Sequence, residues 1–162
     1  MKITHFAFLL LFLLSAFPLP LAAQPEARPV SLVRVVDGDT IRALLNGKET
    51  KIRLYGIDCP ERNQPFGEYA TGATAMALIG KKIRVLPLYE DRYERTVAVV
   101  LLENGSTLEE WLVLIGAAWV YPQYCDRPEC TEWERLQEES RERGLGLWSG
   151  GRPVPPWEWR KR

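Results

Sequence analysis

The sequence predicts an α+β fold with a mainly β core, a five-stranded oligonucleotide/oligosaccharide-binding (OB) barrel that carries three helices. Five apolar, β-branched runs are separated by turn residues, and Asn46-Gly47 is a strong signal for a hairpin between the second and third runs. One helical segment lies between the third and fourth runs, and the other two follow the fifth. This order favours a small barrel with helices attached to it.

The individual elements follow from periodicity and from helix start and stop signals. Strands are predicted at residues 31–36, 39–45, 49–56, 82–88 and 95–102, and helices at 68–80, 107–116 and 131–143. The first helix ends on Gly80, which favours a helix C-terminus. Each of the other two begins with a capping box, Thr107 with Glu110 and Thr131 with Glu134.

The N-terminus has the features of a targeting segment. Lys2, an apolar run at 6–17 and the small residues that end at Ala23 predict a secretory signal peptide, so the mature protein is expected to be secreted or periplasmic. An uncleaved segment, which would anchor the protein to the membrane, is the alternative. We expect a signal peptide at 1–23, a linker at 24–29, one domain at 30–149 and a Pro/Trp/basic tail at 150–162.

Composition limits the chemistry that is available. The only histidine, His5, lies in the predicted signal peptide, so acid–base chemistry in the mature chain must use Asp, Glu, Tyr, Lys or Arg. Removal of Lys2 leaves 20 of the 21 basic residues against 21 acidic ones. Binding of a polyanion would therefore depend on a local patch or a bound cation. The tail sequence WEWRKR is compatible with contact to nucleic acid or an anionic membrane, and equally with a solvated, mobile end.

The cysteines are Cys59, Cys125 and Cys130. Export implies an oxidising compartment, and Cys125 and Cys130 enclose the turn-like stretch DRPE, so we predict a disulfide between them. Free thiols and a pairing that involves Cys59 remain open. A zinc site is disfavoured because three cysteines without histidine are fewer than the usual four ligands.

The stretch IRLYGIDCPE, residues 52–61, combines a strand with charged residues. Arg53 and Asp58 are five apart, an odd spacing that places them on opposite faces of an unbroken strand. They can converge only if the strand bends, and Gly56 allows a bend. Pro60 restricts the backbone before Glu61. The residues predict a rigid loop with one guanidinium and two carboxylates, which is either an ion-pair network or a functional site.

Two further segments favour the functional interpretation. The DGDT motif with Asp39 is a weak signal alone, because Asp and Gly commonly form turns. Asp39 and Asp58 together offer two carboxylates from separate loops, and with backbone carbonyl oxygens and water these could bind a hard cation such as Ca²⁺. Arg95 enters a strand after DRYE, and with Arg53 it could form a fork on a phosphate. Glu61 could activate water. Together these residues suggest phosphodiester hydrolysis.

The motifs VVDGDTI, IRLYGIDCPE, DRYER before a strand and GLW at 146–148 resemble those of the staphylococcal nuclease-like (thermonuclease) family, in the same order, over residues 30–149. The resemblance implies a staphylococcal nuclease-like OB barrel and a Ca²⁺-dependent endonuclease that cleaves DNA and RNA and leaves 3′-phosphate ends. We expect a monomer with no stable protein partner. The alternative is a non-catalytic nucleic-acid-binding or protein-binding module on the same barrel.

The resemblance also implies roles for individual residues. Asp39, Asp58 and the backbone carbonyl of Cys59 correspond to the calcium ligands. Arg53 and Arg95 correspond to the two family arginines that act on the phosphate.

Glu61 corresponds to the family's proposed general base, and Tyr93 and Tyr124 lie where family tyrosines hold the nucleotide.

Two residues depart from the family pattern. Cys59 stands where a threonine is known, and Glu94 stands where glycine is expected. If that position requires a positive φ, Glu94 costs about 1 kcal/mol.

Overall fold

A computed structural model of the chain describes residues 26–162, and its centre is the predicted closed barrel of five strands. The predicted signal peptide, residues 1–23, and the first part of the linker lie outside the described residues. The barrel strands occur in the order β1-β2-β3-β6-β5. Their bounds, with those of a separate two-stranded sheet formed by β4 and β7, are β1 Arg28–Val35, β2 Thr40–Leu45, β3 Lys48–Leu54, β4 Ile57–Asp58, β5 Ile83–Glu90, β6 Thr96–Leu101 and β7 Trp119–Val120.

Strand pairing in the barrel is antiparallel except between β3 and β6, which run parallel with Ile52 beside Thr96. The predicted hairpin between β2 and β3 is confirmed, because Asn46 and Gly47 both have positive φ values, 52° and 78°. Such a turn matches the right-handed twist of the flanking strands. The parallel pair places the end of β3 and the start of β6 side by side.

Among residues 26–162, four α-helices surround the barrel, α1 Gly67–Leu78, α2 Leu108–Leu114, α3 Glu129–Glu142 and the short α4 Pro156–Trp159. The predicted cap of α2 is confirmed, since the Thr107 hydroxyl accepts a hydrogen bond from the amide of Glu110. The predicted cap at Thr131 is wrong, because α3 begins two residues earlier with Pro128 before it. Pro128 has φ −55°, already suited to a helical turn, so the chain enters the helix before the capping box is reached.

The interior contains an apolar core, and the side chain of Glu109 is buried within it. Side chains from the barrel strands pack against apolar residues of α2 and α3, and among them are Ile41, Ile52, Leu54, Val85, Val100, Leu108, Leu112 and Trp133. Glu109 of α2 is also 0% exposed, and its carboxylate oxygens accept hydrogen bonds from the amide of Val100 at 3.1 and 3.2 Å. These hydrogen bonds satisfy a buried backbone donor with a buried carboxyl group, so Glu109 is a structural part of the core.

Cys125 and Cys130 are joined by a disulfide with their Cα atoms 5.7 Å apart, and Cys59 is unpaired and buried. The disulfide packs against the break between β3 and β4. A Cβ atom at Gly56 would lie 2.6 Å from Sγ of Cys125 and 3.0 Å from the Trp133 ring, and Gly56 has φ 68°. Only glycine fits both the space and the backbone conformation there.

Segment 150–162, which the sequence suggested could be a mobile tail, lies against the barrel. Pro156 is buried, and the Trp157 ring stacks on Tyr121 with a centroid distance of 4.7 Å and an angle of 8°. The side-chain amide of Gln64 donates through Nε2 to the carbonyl of Val154 at 2.6 Å. These contacts extend the folded unit beyond residue 149. Within the described part of the chain, the helices are all too short or too polar to cross a membrane.

Candidate active site

The break at Gly56 brings Arg53 and Asp58 together, as the sequence predicted. Arg53 Nη2 donates to Asp58 Oδ1 at 2.8 Å, and Arg53 Nη1 lies 2.8 Å from Asp39 Oδ2. Asp58 is only 2% exposed, and Asp39 is also buried. The guanidinium therefore bridges two carboxylates from two separate loops, and its position is fixed by both.

The DGDT loop is tied to the backbone that follows Asp58. Asp39 Oδ2 accepts a hydrogen bond from the amide of Cys59 at 2.7 Å. Gly38 lies so close to this loop that an added Cβ would be 2.6 Å from Cβ of Cys59 and 2.9 Å from Cβ of Ala70. The close approach fixes Asp39 relative to the Cys59 peptide, which explains how two distant segments form one site.

Negative charge is concentrated at this site. Burial, together with repulsion from Asp39, raises the pKa of Asp37 to about 6. Burial also raises the pKa of Asp58, and hydrogen bonds from Arg160 with the charge of Arg53 partly offset that rise. Repulsion from Asp39 contributes to both rises, and a cation bound between these carboxylates would reduce it.

The donor set suits a hard cation. Two carboxylates, Asp39 and Asp58, and the Cys59 peptide provide oxygen atoms, which are the ligands that Ca²⁺ prefers. Within residues 26–162, no three His, Cys, Asp or Glu side chains lie in a metal-binding arrangement. A cation held here would therefore need backbone, water or substrate oxygens to complete its coordination.

Glu61 lies beside the carboxylate pair, is partly exposed, and contacts a residue that the sequence had not assigned to the site. Its Oε1 atom accepts a hydrogen bond from Arg160 Nη1 at 2.6 Å. The same guanidinium reaches Asp58, with Nη2 2.8 Å from Oδ2 and Nη1 3.3 Å from Oδ1. The only sequence signal for Arg160 was the general basic character of WEWRKR, which does not indicate a contact 99 to 102 residues away.

Arg95 is held at another part of the same cleft. Its Nε and Nη2 atoms lie 2.7 and 2.6 Å from Asp91 Oδ2, and its amide donates to Asp91 Oδ1. Glu94, which precedes Arg95, has φ 57°. The position where the family pattern has glycine therefore does adopt a left-handed backbone conformation. The turn thus presents Arg95 with its guanidinium already oriented by a carboxylate.

The two predicted nucleotide-binding tyrosines are exposed. Tyr93 is 61% exposed beneath the guanidinium groups of Arg92 and Arg95, and Tyr124 packs edge-on against Tyr121 with ring centroids 4.8 Å apart. Both tyrosines line a cleft of about 1170 Å³. That cleft collects the predicted site residues, Asp39, Arg53, Asp58, Cys59, Glu61, Tyr93, Arg95 and Tyr124.

The closed five-stranded barrel with its attached helices makes the chain an OB-barrel protein, with carboxylates and guanidinium groups gathered in one cleft. Residues 51–150 match the family model described as "Staphylococcal nuclease homologue". The chain therefore belongs to the staphylococcal nuclease-like family, and the resemblance noted from its motifs is confirmed.

Three relatives match this chain over most of its length and most of their own. An "Uncharacterized endonuclease" of Escherichia coli O157:H7 is 41% identical over 131 residues, 81% of this chain and 84% of that protein. An "Uncharacterized endonuclease" of Haemophilus influenzae is 35% identical over 155 residues, 95% and 85% of the two chains. A "Micrococcal nuclease" of Shigella flexneri is 35% identical over 138 residues, 80% and 79% of the two chains.

Proposed function

We propose that this chain is an exported, Ca²⁺-dependent endonuclease that hydrolyses phosphodiester bonds of DNA, RNA or both and leaves 3′-phosphate ends. Family membership and the names of the relatives support the endonuclease activity. The observation that carries the proposal is the bridge of Arg53 between Asp39 and Asp58, with Glu61 and Arg95 in the same cleft. Export rests on the signal peptide predicted at residues 1–23.

Asp39, Asp58 and the backbone carbonyl of Cys59 would hold the cation. The fit is supported by the all-oxygen donor set and by the repulsion from Asp39, which contributes to the raised pKa values of Asp37 and Asp58. When bound, Ca²⁺ would polarise the phosphoryl group and neutralise part of its charge.

Arg53 and Arg95 would bind and orient the scissile phosphate. Carboxylates hold both guanidinium groups in the cleft, so each is already positioned near the phosphate when negative charge grows on the five-coordinate phosphorus. Glu61 is 38% exposed on its side chain and can orient the attacking water and accept its proton. Formation of a 3′-phosphate requires the bond between phosphorus and the 5′-oxygen to break, so the leaving group is a 5′-hydroxyl.

The test is incubation of the protein with single-stranded DNA and with RNA, in calcium or in a chelator. We expect cleavage only with calcium, and products that carry 3′-phosphates. Glu61→Gln should lower the rate by about 10²- to 10⁴-fold, the usual contribution of a general base, with circular dichroism unchanged. Glu138→Gln on the exposed face of α3 is the matched control and should be fully active. Absence of calcium-dependent cleavage at neutral and alkaline pH would contradict the proposal.

One observation favours the second candidate, a non-catalytic binding module. Arg160 engages both Asp58 and Glu61, so the two carboxylates are already neutralised within the chain. A binding module would bind oligonucleotides without cleaving them, and Asp39→Ala would leave that affinity unchanged. In the endonuclease, the same substitution removes a cation ligand and abolishes calcium-dependent cleavage.

A further inference from the structure

The segment that contains helix α4 reaches the carboxylates of the candidate active site through Arg160. Arg160 follows α4 directly and donates to both oxygens of Asp58 and to Oε1 of Glu61. Its guanidinium thus contacts one proposed cation ligand and the proposed general base at the same time. No assigned step of the reaction uses this residue.

A cation at Asp58 is incompatible with the observed position of Arg160. Calcium binds carboxylate oxygens at about 2.3–2.6 Å. Arg160 Nη2 already lies 2.8 Å from Asp58 Oδ2, and Asp58 Oδ1 accepts from Arg53 at 2.8 Å and from Arg160 at 3.3 Å. A divalent ion on these oxygens would stand next to a guanidinium, and the like charges would repel strongly at this separation.

Arg53 and Arg160 differ in how firmly they are held. Arg53 is carried by a barrel strand, and its pairing with Asp39 as well as Asp58 fixes it from two sides. Arg160 is exposed, and it extends from a helix of only four residues near the end of the chain. Displacement of Arg160 therefore disturbs far less of the fold than displacement of Arg53.

Aromatic packing determines where α4 sits. The Trp157 ring stacks on Tyr121 and meets Trp119 edge-on with a centroid distance of 5.9 Å. Pro156 is buried beside it. With this anchor in place, the Arg160 side chain can leave Asp58 while the helix remains on the barrel.

We propose that Arg160 is an internal counter-cation, which occupies Asp58 and Glu61 in the cation-free protein and is displaced when a divalent cation binds. Displacement frees Asp58 as a ligand and Glu61 as a base, so Arg160 sets the cation concentration at which the site becomes competent. The proposal rests on the proposed calcium site and goes beyond it in assigning a competitor from within the chain.

The test measures cation binding without any nucleic acid. Calcium is titrated calorimetrically into the parent protein, Arg160→Gln, Arg160→Lys and Arg162→Gln. Arg162→Gln is the matched control, because it removes the same charge from the same chain end while Arg162 lies over the Trp159 ring. We expect Arg160→Gln to bind calcium at least tenfold more tightly than the parent, and Arg162→Gln to match the parent. Arg160→Lys should fall between them, because an ammonium group cannot donate to two carboxylates in a planar fork.

A calcium affinity of Arg160→Gln equal to or below that of Arg162→Gln overturns the proposal, and so does an absence of calcium binding in all four proteins. The outcome is separable from that of the endonuclease proposal. Calcium-dependent cleavage with equal affinities retains the endonuclease and removes the counter-cation. Tighter binding by Arg160→Gln without any cleavage retains the counter-cation and removes the endonuclease.

Discussion

Glu109 should make the stability of the protein fall as pH rises through neutrality. Its side chain is completely buried, and the amide of Val100 donates to both of its carboxylate oxygens. Burial raises the pKa of Glu109 from 4.5 to about 8, although backbone hydrogen bonds, among them that from the amide of Val100, partly offset the rise. The folded protein therefore keeps this carboxyl group protonated at pH values where the unfolded chain has released the proton.

The sign and size of the effect follow from this difference in pKa. Between pH 4.5 and about 8, the folded protein binds more protons than the unfolded chain, so the free energy of unfolding decreases as pH rises. The contribution of Glu109 is fully present below pH 4.5 and is lost as pH rises through about 8. Each tenfold change in proton affinity corresponds to about 1.4 kcal/mol, so the free energy of unfolding should fall by on the order of 5 kcal/mol over this pH range.

The assay is urea unfolding of the parent and of Glu109→Gln at pH 5 and at pH 8.5, both in chelator. Glutamine does not titrate, so the difference in unfolding free energy between the two pH values should shrink by most of about 5 kcal/mol. Asp37, whose pKa is raised to about 6, contributes in the same direction and remains in both proteins, so it cancels in the comparison. The same pH dependence in Glu109→Gln as in the parent would refute the reasoning.

Three shorter predictions concern the backbone and the cysteines. Glu94→Gly should raise the free energy of unfolding by about 1 kcal/mol in urea, because φ 57° is strained for glutamate; a lower value would contradict this. Burial raises the pKa of the Cys59 thiol well above its usual value, so iodoacetamide should alkylate it only after unfolding, and rapid labelling of the native protein would disprove the prediction. Replacement of Cys125 and Cys130 by serine should lower the unfolding free energy by about 2 kcal/mol, the entropy of closing a short loop, and an unchanged urea midpoint would count against it.

The fold was predictable where local signals were strong. The barrel strands carry β-branched runs, and Asn46-Gly47 marks the hairpin between β2 and β3 through its backbone requirement. Strands β4 and β7 were not predicted, because two residues are too few to show a period. The start of α3 was misplaced because a capping box at Thr131 competes with the helical backbone that Pro128 already adopts.

The part of the candidate site formed by residues 53–58 was predictable, because its geometry depends on one short stretch of sequence. The odd spacing of Arg53 and Asp58, with Gly56 between them, indicated a bend, and the two side chains do meet. Arg160 was not predictable, because its position depends on packing between Trp157 and Tyr121, which no local pattern encodes. The burial of Glu109 was not predictable for a different reason. An acidic residue in the first turn of a helix is ordinarily explained by the helix dipole, so nothing in the sequence indicated burial.

The parallel pairing of β3 with β6 has a consequence for how the protein acquires activity as it folds. In this register Arg53 lies beside Val97. The strand that carries Arg53 and the turn that carries Arg95 therefore meet only after the chain between them has folded. Pairings between residues so far apart in sequence form late, because loop closure must precede the contacts that stabilise it. The β2–β3 hairpin can form early, yet it holds only one of the two arginines. In a refolding experiment, recovery of phosphodiester cleavage should therefore lag behind recovery of the hairpin and report closure of the whole barrel.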